Sequence, residues 1–179
     1  MKEDGTAMRD VVASIESEYQ RYKTMADKAM AQLGDADLLA ATGEESNSIA
    51  VIVKHVGGNL ASRFTDFLTT DGEKPWRARD EEFETAGATR ADLLATWERG
   101  WGVLFATLAT LVDADLVRQV AVRGEAMPVH AALHRSLAHT ASHVGQIVYI
   151  AKAIRGAAWQ TLSIPRGKSA EFNAAMRRR

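Results

Sequence analysis

The stretch "HRSLAHTASHVGQI", residues 134–147, holds three of the chain's five histidines. Imidazole is the side chain most often recruited as a metal ligand. Helical geometry sorts these residues. At about 100° per residue, His139, His143, Gln146 and Ile150 fall within a band of roughly 60° with Arg135 at its edge, whereas His130 and His134 point to nearly the opposite side. One pair remains. Two imidazoles at i and i+4 can reach a single ion at nitrogen–metal distances of about 2.0–2.1 Å. On its own an HxxxH pair more often has a structural or surface role, so a metal site requires a further ligand from elsewhere.

His55 is the candidate complement. It lies in the apolar stretch "SIAVIVKHVGGNL", with Asn59, Ser62 and Asp66 forming a polar stripe in line with it. Taken alone it reads as a core histidine satisfied by one hydrogen bond. If its helix faced the one carrying His139 and His143, three neutral imidazoles would form an open, catalytic type of site, because structural zinc sites are closed by four protein ligands.

The elements that must position these residues are helical. Val12, Ile15, Tyr19, Tyr22, Ala26, Ala29 and Leu33 recur three or four apart in residues 8–33, and Gly34 closes the run. A second helix begins at "SNSIAVIVKHVGGNLASRFTDFLTT", with Asn47 or Ser48 as its cap and "TTDGEKP" as its end. Gly57 and Gly58 each cost about 1 kcal/mol of helix propensity, which points to close packing of a neighbouring helix in preference to a kink. Residues 71–88 read as a long polar surface loop that Trp76 and Phe83 could pin down. The third helix, 89–112, is capped by Thr89 with Asp92 in its first turn, and its apolar face carries Leu93, Leu94, Trp97, Trp101, Leu104, Phe105 and Leu108.

Between the third and fourth helices, Val117, Val120 and Val122 alternate before Gly124 and suggest a short hairpin. Pro128 opens the fourth helix, which runs to about Arg155 and stops at Gly156. One or two more helical turns can follow Ser169. The expectation is an all-α fold, an antiparallel four-helix bundle forming one domain over residues 1–179, with a long loop between helices 2 and 3.

Composition narrows the function classes. With 22 basic and 23 acidic residues and a net charge of -1, nothing attracts the chain globally to nucleic acid or to an anionic membrane. The hydrophobic share of 46% has no run approaching the roughly 20 apolar residues of a bilayer span. "MKEDGTAMRD" lacks an apolar leader, so a cytoplasmic protein is expected. The absence of cysteine excludes disulfides, thiolate ligands and a protein-borne thiol nucleophile. No P-loop, no G-x-G-x-x-G, no Glu-x-x-His di-iron signature and no paired carboxylates at catalytic spacing occur.

"IVKHVGGNL" and "HTASHVGQI" resemble the DinB/YfiT-like superfamily of metal-binding four-helix bundles, whose pattern is one histidine on the second helix and HxxxH followed by xGQ on the fourth. More narrowly, "SIAVIVKHVGGNLASRFTDFLTTDGEKPWRARDEEF" and "LSIPRGKSAEFN" look like a bacterial branch of that superfamily, a domain of unknown function. The resemblance implies a divalent metal, usually zinc or nickel, on His55, His139 and His143, with water or substrate completing the shell. It also implies a homodimer acting on a small molecule. Relatives of this kind are thiol-dependent, among them bacillithiol S-transferases and a mycothiol-dependent maleylpyruvate isomerase.

A low-molecular-weight thiol cosubstrate is therefore expected, since the chain has no thiol of its own. An open metal site lowers the pKa of a bound thiol, and equally of a bound water for hydrolysis. A metal-binding bundle without catalysis, serving in a stress response, is the further alternative. Gln146 either orients a bound group or bridges helices. Asn59 and Arg63 could face the mouth of the site, where an arginine suits a carboxylate-bearing substrate. Arg63 and Arg135 otherwise read as solvated helix positions. His130 and His134 read as partly exposed, the four tryptophans Trp76, Trp97, Trp101 and Trp159 as core or loop anchors, and the terminal "RRR" as a solvated helix end.

Overall fold

A computed structural model describes residues 8–178. The leader reading of residues 1–7 and the last arginine of "RRR" lie outside the described residues. Helix dominates, in α1 (Asp10–Met30), a single-turn α2 (Asp35–Leu39), α3 (Ile49–Phe64), α4 (Arg90–Thr110), α5 (Val129–Arg155) and α6 (Ser169–Met176). One antiparallel pair of strands, β1 (Gln119–Val122) and β2 (Glu125–Pro128), precedes α5. Among the described residues no helix is long and apolar enough to cross a membrane.

The four long helices carry apolar residues three and four apart, and these stripes meet in one shared core. Tyr19 of α1 packs edge-on against Phe64 of α3 and Trp101 of α4, with ring centroids 6.4 and 6.2 Å apart. Helix ends show the directions. The Asp113 carboxylate, just past α4, accepts hydrogen bonds from Val11 and Val12 N–H at 3.1 and 2.9 Å, satisfying donors that the first turn of α1 leaves free. Arg9 returns the favour by donating to the Leu108 and Leu111 carbonyls at the end of α4. The start of α1 thus meets the end of α4, and the two run oppositely.

The pair α3 and α4 runs the same way: Gly57 faces Thr96 and Gly100, and seven residues on the Thr107 hydroxyl donates to the Phe64 carbonyl at 2.8 Å. A Cβ on Gly57 would lie 2.6 Å from the Thr96 carbonyl oxygen, and one on Gly100 would overlap the Gly57 backbone. These glycines permit the close helix contact that the sequence suggested. Helices α1 and α5 are parallel too, linked by Tyr19 Oη to the Leu133 carbonyl and, past their far ends, by Gln32 with Gln160. The expected antiparallel order is corrected accordingly: the helices run up, down, down, up. The reason is the chain between α3 and α4, residues 65–89, which is long enough to travel back along the helices and start α4 beside the start of α3.

That crossover is anchored by polar groups. Phe83, 39% exposed, keeps its ring 5.9 Å from that of His55, but Trp76 is 56% exposed and is not the apolar pin expected from the sequence. Instead Ser62 Oγ donates to the Gly72 carbonyl at 2.8 Å, and Glu82 and Lys74 are buried. The Asp71 carboxylate accepts N–H donors from Glu73, Arg123 and Gly124 at 2.7–2.8 Å, and these backbone hydrogen bonds hold its carboxyl down at about 2. Crossover and hairpin are thereby stitched together. At the hairpin tip Arg123 and Gly124 have φ of 57° and 76°, the left-handed pair that a two-residue type I′ turn demands. Val120 and Val122 point inward as expected, but Val117 belongs to the single turn Asp113–Val117 and is 75% exposed.

Candidate metal centre

Helix α3 contributes His55 and α5 contributes His139 and His143, and one donor nitrogen from each lies within 4.8 Å of the others. His55 Nε2 and His139 Nε2 are 3.1 Å apart. Two nitrogens bound to one tetrahedral zinc at about 2.0–2.1 Å stand about 3.4 Å apart, so this separation fits a shared ion with little movement. Among the described residues no carboxylate joins this set.

Each ring is held differently. His55 is buried, and its Nδ1 donates to Glu82 Oε2 at 2.9 Å, because a carboxylate can only accept; that leaves the Nε2 lone pair directed at the other histidines. Glu82 is gripped by Arg77, whose Nε and Nη2 donate at 2.8 and 2.9 Å. Burial pushes the Glu82 carboxyl up, but hydrogen bonds from His55 and Arg77 and their charges outweigh it and hold the group below its usual range. The carboxylate is ionised at neutral pH. Gly58 makes this possible, since a Cβ there would overlap Glu82 Oε1.

On α5, His143 Nδ1 meets Gln146 Oε1 at 2.9 Å, again leaving Nε2 free. His139 Nδ1 is buried with no hydrogen-bond partner. Burial, reinforced by the nearby His143, His55, Arg77 and Arg63, lowers the His139 pKa to about 4. Burial is also the main cause of the lowered pKa of His143. Both imidazoles are therefore neutral near pH 7, the protonation state in which a nitrogen can ligate. Beside the cluster lies a cavity of about 230 Å³, bordered by His55, His139, Asn59, Arg63 and Arg135.

The family model described as "Protein of unknown function (DUF1572)" matches residues 6–168. The chain belongs to this family. No curated protein and no solved structure matches it. The DUF1572 description states no activity, so the chemistry of the centre rests on the residues that build it.

Of the residues singled out in the sequence, the structure brings together His55, His139 and His143, places Gln146 on His143, and puts Asn59, Arg63 and Arg135 at the cavity. His130 and His134 are exposed on another side of α5. Arg63 departs from a solvated position: its side chain is 15% exposed and donates to Glu73 Oε2 at 3.1 Å. Glu82 and Arg77 were not among the sequence candidates. One signal pointed to them: Gly57 and Gly58 face directions about 100° apart on a helix, so a single neighbouring helix accounts for only one of the two.

Proposed function

We propose that this member of the DUF1572 family is a divalent-metal-dependent enzyme of the DinB/YfiT-like class. In this reading the whole chain is one four-helix-bundle domain, His55, His139 and His143 hold zinc or nickel, and a small cofactor thiol is transferred to an electrophile. The observation that carries it is the orientation of the imidazoles. His55 and His143 each spend Nδ1 on a specific acceptor, Glu82 and Gln146, so that their Nε2 atoms turn toward the same point as His139. A carboxylate or carbonyl oxygen behind a histidine is the usual support of a ligand imidazole, and two of the three rings here have one.

Held by His55, His139 and His143, an ion would keep its full charge for the next ligand and would favour the thiolate form of a thiol near neutral pH. The chain's own residues prepare that chemistry. Glu82, clamped by Arg77, fixes the tautomer and plane of His55; burial keeps His139 and His143 unprotonated; and a cavity lined by His55 and His139 leaves room for a substrate beside them. With no cysteine in the sequence, the thiol has to arrive as a cosubstrate.

The decisive measurement is metal content of protein purified without a histidine tag, by inductively coupled plasma mass spectrometry. About one zinc or nickel per chain is expected, and near-zero metal after growth in supplemented medium overturns the reading. His139→Ala should remove the ion while circular dichroism of the helices persists. Metal-dependent conjugation of low-molecular-weight thiols to a chlorobimane then tests the transferase step. Silence across a broad thiol panel would turn the reading toward hydrolysis or toward metal binding without catalysis.

A further inference from the structure

The cavity beside the histidines is lined by five arginines, Arg63, Arg77, Arg79, Arg123 and Arg135, and by no acidic residue. The carboxylates that reach these guanidinium groups are two. Glu82 is spent on Arg77, and Glu73 is shared among Arg63, Arg123 and Arg77, at 3.1, 2.9 and 4.0 Å. Among the described residues Arg79 and Arg135 have no carboxylate within ion-pair distance. Arg63 Nη1 is buried with no partner at all. A buried, unpaired donor on a charged group is costly, and several cations converging on one small cavity repel one another. Both penalties are relieved by one anion.

The walls say what kind of anion. Beside the arginines stand Phe64, Phe67, Val122 and Met127, so the cavity's lining combines charged and apolar surface. A bare inorganic ion would leave the apolar wall unfilled. The volume of about 230 Å³ lies below the roughly 300–1,000 Å³ of drug-sized sites, which suits a metabolite of few heavy atoms. Guanidinium groups match the two oxygens of a carboxylate in a fork.

We infer that this cavity binds the carboxylate of a small organic acid on Arg63 and Arg135, presenting the carbon skeleton to the apolar wall and to the face of the histidine cluster. The inference names the substrate class of the proposed enzyme and rests on that reading only for the chemistry that follows binding. Binding itself needs no metal.

The test is calorimetric titration of the full chain, both chelator-treated and zinc-loaded, with benzoate and succinate, their neutral counterparts benzamide and succinamide, and inorganic phosphate. At least one carboxylate should bind the metal-free protein, weaken as salt is raised, and lose affinity about tenfold or more in both Arg63→Gln and Arg135→Gln, while the amides do not bind. Arg135 is exposed, so its variant keeps the test valid if loss of Arg63 impairs folding. Amides binding as well as acids, phosphate binding in place of every carboxylate, unchanged affinity in Arg135→Gln, or no binding by any carboxylate would each overturn the inference. A zinc-loaded protein that binds no acid sinks this inference alone; a protein that binds acids but never takes up metal sinks the metalloenzyme reading alone.

Discussion

The two sides of the histidine cluster are built on opposite plans. On the α3 side, His55 is one end of a buried chain running through Glu82 to Arg77, and two of its three members come from the crossover between α3 and α4. On the α5 side no such chain exists: His139 Nδ1 has no partner, and His143 rests on Gln146, which is exposed. The second side is positioned by helix register instead. Thr140, Val144 and Ile147 are buried, fixing the rotation of α5, and the i, i+4 spacing does the rest. The brace fixes the ring of the one histidine on α3, whereas the two on α5 owe their common direction to their i, i+4 spacing on one helix face.

The largest effect should come from breaking the braced side. Glu82→Ala strips the nearer carboxylate from Arg77, whose side chain is 2% exposed, and leaves that guanidinium only Glu73, 4.0 Å away. A loss of about 3–5 kcal/mol is expected in urea unfolding, the range for breaking a buried pair from one end. Metal affinity should fall about 10–100-fold as His55 loses its orientation. An unfolding midpoint within error of the parent would show that the chain through Arg77 is incidental.

Next in size is Gly58→Ala, which pushes a methyl into the Glu82 carboxylate. Overpacking of this kind costs about 1–3 kcal/mol, and because the displaced group is the brace, metal affinity should drop with it. Gly57→Ala meets the Thr96 backbone and should cost similar stability, with metal uptake close to parental. Equal metal affinities in the two variants would mean that Glu82 does not aim His55.

How much of this was legible beforehand follows the same division. The four long helices were readable because burial imposes a period of 3.6 on the sequence, and so was the HxxxH pair, which needs only that period. The hairpin announced itself by Val120, Val122 and Gly124. Helix directions were not readable from periodicity, which is blind to polarity along the axis, although the length of 65–89 is what a parallel α3–α4 pair requires. Glu82 and Arg77 were hidden for a different reason. Buried polar residues in an irregular segment follow no repeat, and "RARDEEF" looks like any solvated loop until Gly58 and His55 are seen to receive its Glu82.

Acid should separate the sides without any mutation. His139 titrates at about 4 in the folded protein against an ordinary 6.5, so the native state binds fewer protons than the unfolded chain throughout that interval. Its contribution is therefore complete above about pH 6.5 and is lost as pH falls toward 4, with His143 shifted in the same direction. Glu82 is a depressed carboxyl, whose contribution persists until pH falls below its ordinary 4.5. For metal-free protein, the urea midpoint should begin to decline near pH 6.5 in the parent. In His139→Gln that upper part of the decline should shrink while the part below 4.5 stays. A profile flat from pH 7 to 5 would contradict the burial of neutral imidazoles.

The smallest effect belongs to Gln146→Ala. The side chain is exposed, so water can replace its carbonyl as the acceptor for His143 Nδ1, and stability should change by about 0.5 kcal/mol or less. Metal affinity should fall by no more than about tenfold, the lower edge of the range for a supporting group. That shortfall relative to Glu82→Ala is the point of the experiment, because a helix that already aims two imidazoles has little orientation left to lose. If Gln146→Ala weakened the metal as much as Glu82→Ala, register alone would not position the α5 pair, and the exposed amide would have to be counted as a brace equal to the buried carboxylate.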